Sequence, residues 1–161
     1  VAETISPSMD IQIASNFERL IYDLNDYDDD KTKSIMEKIQ KEGKYIISKE
    51  SLKKIQKDFL SGKMNEVEIL NTIKEIYEKF KIILDPHSAI GFGVLKKMNL
   101  KKNNVVLATA HPSKFPDTIN KSINVKPNLP NELNYVMNKK ENYDIISNDL
   151  NEVKKYIKSK L

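Results

Sequence analysis

Apolar residues recur along most of this chain at helical spacing. Phe17, Leu20, Ile21 and Leu24 fall at i, i+3, i+4 and i+7, the stripe of an amphipathic helix that Ser15 can cap. The acidic turn "NDYDDD" closes it, and Ile35, Met36 and Ile39 mark a second helix ending at Gly43. After "KYIIS", Ser48 can cap a third helix with Leu52, Ile55, Phe59 and Leu60 on one face and Gly62 at its end. The broadest stripe follows: Ile69, Leu70, Ile73, Ile76, Tyr77 and Phe80. Core packing is the use expected of all these faces. Asp85-Pro86 stops that helix and starts another, "PHSAIGFGVLKKM", with Pro86 suited to a first turn. Its Ala89, Ile90, Phe92, Val94, Leu95 and Met98 are apolar almost all round, which predicts burial.

The pattern changes at "VVLATAHPSKFPD", Val105 to Asp117. "VVLA" is a short continuous apolar run suited to a strand buried on both faces. Beyond it, helices are expected near Asn131 to Met137 and from about Ser147, the last with Leu150, Val153 and Ile157 inward. The first fourteen residues hold no helical period. The expected fragment is a single unit over 1–161, mostly α-helical, with one or two short strands, at "VVLA" and at "YIIS". One strand cannot make a sheet, so this piece is expected to complete a sheet whose other strands lie upstream.

Composition narrows the classes. With 161 residues the chain can bury a real core. It lacks cysteine, which removes disulfides and thiolate chemistry. No apolar run approaches a membrane span, and a cytoplasmic location fits. The chain begins at Val1, with Met9 its first methionine, and reads as a piece of something longer. The net charge of +4 is spread over a mixed surface, and 26 of 27 basic residues are lysine. Nucleic acid is not an expected partner, because base readers favour arginine forks.

Candidate chemistry is sparse. His87 and His111 are the only histidines, with no compact set of further ligands near them in sequence, so no metal site is expected. The "GFG" of Gly91 to Gly93 lacks the third glycine and preceding strand of a dinucleotide fingerprint. Close approach to a neighbouring element is its simpler use. Ligands in open α/β sheets sit beyond the carboxyl ends of strands, where Thr109 and His111 would fall. A structural hydroxyl bonded to backbone is the alternative for Thr109. Arg19, the one arginine, either needs its planar fork for a carboxylate or phosphate, or pairs with Asp23 at i+4.

Three ordered stretches, "TISPSMDIQIASNFER", "LDPHSAIGFGVL" and "LATAHPSKFPD", resemble the C-terminal third of the bacterial and fungal threonine synthases. "YIISKESLKKIQKDFLSGKMNEVEILNTIKEIYEKF" resembles the helical segment before that family's Asp-Pro-His motif. The likeness covers nearly the whole chain and is loosest after Lys126. It implies an α/β parent of the tryptophan-synthase β-like fold, fold type II, dependent on pyridoxal phosphate. The implied reaction of the full enzyme converts O-phosphohomoserine and water to threonine and phosphate.

The resemblance further implies that Thr109 places its hydroxyl against the pyridine nitrogen of the cofactor. His111 and Lys114 then lie near enough to shape the site, and Arg19 becomes a candidate for holding substrate anion or a domain interface. The family's Schiff-base lysine and its phosphate-binding loop belong to upstream motifs that do not occur here. The chain alone is therefore expected to be inactive, with the remainder of the same enzyme chain as its partner. The opposing reading is a stand-alone helical interaction module derived from that enzyme. A reading frame continuing upstream of Val1 separates the two.

Overall fold

A computed structural model describes residues 3–11, 13–100 and 103–161, which form two compact units, Val1–Pro127 and Asn128–Leu161, where the sequence reading has one. The boundary falls next to Lys126, where the family resemblance loosens.

In the first unit, α1 (Ser15–Leu24) pairs with α2 (Asp29–Glu42). Ala14, not Ser15, occupies the N-cap of α1, and no side chain caps it. Asp26 and Tyr27 carry φ of 55° and 65° in the tight turn that follows. Asp28 then caps α2 by accepting from Lys31 N at 2.9 Å, and Gly43, at φ 69°, ends it. The left-handed cap is where glycine avoids a Cβ penalty. Ile21 and Ile39 are buried in this unit. α3 (Lys49–Asp58) starts as expected, with Ser48 Oγ accepting from Ser51 N at 3.0 Å. Its stripe, however, is not core. Leu52, Phe59 and Leu60 are exposed, because α3 makes no extensive contact with another helix.

The main core lies where α4 (Glu66–Phe80) meets α5 (Pro86–Met98) and α6 (Pro116–Ile123). A capping box starts α4: Asn65 N donates to Glu68 Oε2 at 2.8 Å and Glu68 N donates to Asn65 Oδ1 at 2.9 Å. Ile69, Ile73, Ala89 and Ile119 form the buried cluster, with Ile5, Met64, Ile83, Leu84, Ile90 and Ile123 packed around it. Each fully buried isoleucine contributes roughly 1.5–3 kcal/mol. α5 is less buried than its all-round apolar pattern predicts: its first turn is enclosed, while Gly91 and the lysines beyond Leu95 reach the surface. Lys96 and Lys97 there bridge to Glu75 and Glu68 of α4 at 2.6 and 2.7 Å.

Gly93 answers the expectation of close approach. A Cβ at this position would overlap Met64 Sδ and Cε and lie 3.2 Å from Thr72 Oγ1. Gly93→Ala gains roughly 1 kcal/mol of helix propensity and obliges the flexible Met64 thioether to swing aside. The change is expected to raise the melting temperature more in a Met64→Ala background, which removes that thioether, than in the parent.

Two sequence expectations differ from the structure. Residues 105–108 form no strand, nor do 45–48, and no strand occurs among the described residues. Val105 is 88% and Leu107 74% exposed. A strand exists only as part of a ladder, and the elements around this run are helical. The pattern also gave no sign of α6, whose Ile119 and Ile123 are too few to show a period. Pro116 in its first turn is its one start signal.

The second unit contains a 3-10 helix at Asn131–Asn138 and α7 (Leu150–Lys160), capped by Asp149 through the N–H groups of Asn151 and Glu152. Val153 is half-buried, but Leu150 and Ile157 are exposed rather than inward. No helix is long and apolar enough to cross a membrane among the described residues.

Candidate functional site

A cleft of about 590 Å³ opens between Ser8 and Met9, Leu60, one side of α5, and the run from Val105 to Phe115, of which 108 and 111–113 do not line it. Its size suits a small organic ligand. Thr109 and Lys114 both line it.

The polar floor starts from Asp85, which is 1% exposed and caps α5. Its Oδ1 accepts from His87 N at 2.9 Å and faces His87 Nδ1 at 3.1 Å. His87 Nε2 accepts from Ser8 N at 3.2 Å. A neutral imidazole has one donor and one acceptor, so accepting at Nε2 fixes the proton on Nδ1, directed at Asp85. Both ring nitrogens are thereby used in holding the Pro7–Met9 turn against α5. Phe115 packs on the ring with centroids 4.8 Å apart.

Asp85 Oδ2 accepts from Ser88 Oγ, and Ser88 Oγ in turn accepts from Thr109 N at 3.1 Å. Thr109 is exposed, and its hydroxyl has no hydrogen-bond partner among the described residues. The backbone of Thr109 is tied down and its side-chain oxygen is left to the cleft.

The other candidates separate. His111 is exposed and is not part of the cleft lining. Its Nδ1 accepts from Ser113 N at 3.2 Å and contacts Ser113 Oγ at 2.6 Å, capping the 3-10 turn Pro112–Lys114. Arg19 lines a different groove, of about 740 Å³, between α1 and α2. The pair with Asp23 does not form: the Asp23 carboxylate accepts from Tyr27 Oη at 2.9 Å instead. That contact raises the Tyr27 pKa, first through the hydrogen bond to Asp23 and then through its charge.

Sequence reasoning did not single out Asp85, Ser88 or Ser8 as site residues. The available signal for Asp85 and Ser88 was the Asp-Pro-His-Ser order, in which the two stand one helical turn apart at a cap. The bond from Thr109 to Ser88 spans 21 residues and has no local signature.

Residues 88–157 match the family model described as "Threonine synthase, C-terminal". Threonine synthase of Saccharomyces cerevisiae is 35% identical over the whole chain and 36% of its own length. That of Pseudomonas aeruginosa is 32% identical over 96% of this chain and 34% of its own length. The crystal structure of threonine synthase from Brucella melitensis with PLP bound superimposes with a TM-score of 0.80 and 39% identity. It covers 99% of this chain, which covers 34% of it. The chain thus spans about a third of the length of these relatives. In sequence and fold, this chain matches the C-terminal part of threonine synthases.

Proposed function

We propose that this chain acts as the C-terminal part of a cytoplasmic threonine synthase that converts O-phospho-L-homoserine and water to L-threonine and phosphate, with pyridoxal phosphate as cofactor. The observation that carries the reading is the Thr109 hydroxyl, anchored through its own backbone N–H yet free of any partner in the cleft. A hydroxyl so placed fits the ring-nitrogen edge of that cofactor. When bound, pyridoxal phosphate supplies an electron sink for carbanions at the substrate carbons.

Thr109 would hold a hydrogen bond at the ring nitrogen. A neutral hydroxyl, unlike a carboxylate, cannot keep that nitrogen protonated, so it orients the ring and leaves the sink weaker. Lys114 brings a positive charge to the same cleft, suited to an anionic substrate group. His111 shapes the rim by fixing the turn that presents Lys114. Arg19, set in its own groove, is proposed for a domain interface or an anion reached from outside the cleft.

The cofactor-bearing lysine and the phosphate loop are assigned to the rest of the enzyme, which is also the proposed cover for exposed Val105 and Leu107. Pairing with a sheet of that remainder would make 105–108 the strand its composition predicts. Phosphate and threonine release from O-phosphohomoserine tests this reading. The complete enzyme is expected to make both in equal amounts, and the 161-residue chain alone neither. Turnover by the chain alone would refute the division of labour, and an inactive complete enzyme would refute the function.

A further inference from the structure

We infer that Ser88 is a positioning residue for Thr109, with its hydrogen-bond polarity imposed by Asp85. The inference rests on the reading of Thr109 given above. A hydroxyl has one proton to donate. Asp85 caps α5 by accepting from the backbone N–H groups of His87 and Ser88, so its carboxylate serves as an acceptor, and it takes that proton through Oδ2. Ser88 Oγ is left with lone pairs alone toward the cleft, and the group that meets them is the backbone N–H of Thr109 at 3.1 Å. Ser88 is itself buried. Its place on α5 is fixed by the same carboxylate, which faces the Ser88 N–H as well.

The consequence is directional. Carboxylate to hydroxyl to amide is a chain in which every member has one permitted role, so Thr109 N–H is held at the helix terminus. The Thr109 side chain keeps its hydroxyl for a ligand. Without the Ser88 oxygen, that amide loses its acceptor in an exposed segment that has no ladder or helix of its own. Thr109 would keep its chemistry and lose its address. Asp85 and Ser88 therefore act on the cofactor only through Thr109.

Three variants of the complete enzyme test this: Ser88→Ala, Ser88→Thr and Thr109→Val. Amide hydrogen exchange at Thr109, the dissociation constant and absorbance of pyridoxal phosphate, and the melting temperature are measured on each. Ser88→Ala is expected to speed Thr109 amide exchange about tenfold and to weaken cofactor binding in the same direction as Thr109→Val. Ser88→Thr, which keeps the hydroxyl, should restore both. An unchanged Thr109 amide in Ser88→Ala would overturn the positioning role while leaving the Thr109 reading intact. Faster exchange throughout α5 with an unchanged cofactor spectrum would overturn it too, making Ser88 a structural residue only. If Thr109→Val leaves cofactor binding untouched, the reading of Thr109 fails, and with it any role of Ser88 toward the cofactor.

Discussion

Thr109→Val in the complete enzyme is expected to weaken pyridoxal phosphate binding and reduce turnover, each roughly tenfold to a hundredfold. The range follows from leaving the enclosed ring nitrogen without its donor, ~1–3 kcal/mol. Valine keeps the β-branched shape, so the change isolates the hydroxyl. The melting temperature without cofactor should be unaffected, because the Thr109 hydroxyl bonds nothing in the chain and its anchoring N–H is retained. Cofactor titration and steady-state kinetics check both halves. Parental affinity and turnover would reject the pyridine-nitrogen role.

The largest stability effect is expected at Asp85. Asp85→Ala strips the acceptor from His87 N–H, His87 Nδ1–H and the Ser88 hydroxyl in a buried place, and removes the cap of α5. The cap alone is worth ~0.5–2 kcal/mol, and each buried donor left unpaired costs ~1–3 kcal/mol. Since such terms overlap, the expected total is ~3–5 kcal/mol, a fall in melting temperature on the order of 10 °C. Asp85→Asn should behave differently. Asparagine is an equally good cap, so stability should fall much less. Its amide can donate to Ser88 Oγ where the carboxylate accepted, and that oxygen, with two lone pairs, can still accept from Thr109 N–H. The asparagine variant should therefore melt much closer to the parent than the alanine variant does and keep Thr109 amide protection. Equal melting of the alanine variant and the parent would contradict the network described here.

How much of this was legible depends on how local each cause is. The caps of α2, α3 and α5 follow from Gly43, Ser48 and Pro86, all of which act within one turn. The faces of α3 and α7 were read as core because periodicity reports amphipathicity and not the presence of a partner. "VVLA" shows the same limit in a strand. Its composition fits a buried ladder, yet within this chain it is irregular and exposed. At the site, family motifs brought out Thr109 and Lys114, which share the cleft, and His111 on its margin. Arg19 stood out by composition, and rarity carries no spatial information: its groove has no lining residue in common with the cleft. Ser88 stayed hidden because its decisive partner is 21 residues away and is a backbone amide, which every residue but proline possesses.

The most direct test is a crystal structure of the complete enzyme with pyridoxal phosphate bound. The account predicts Thr109 Oγ1 at a hydrogen-bonding distance, about 2.7–3.0 Å, from the pyridine nitrogen, with Thr109 N still donating to Ser88 Oγ. A ring nitrogen facing any other side chain, with the Thr109 hydroxyl turned to backbone, would contradict it.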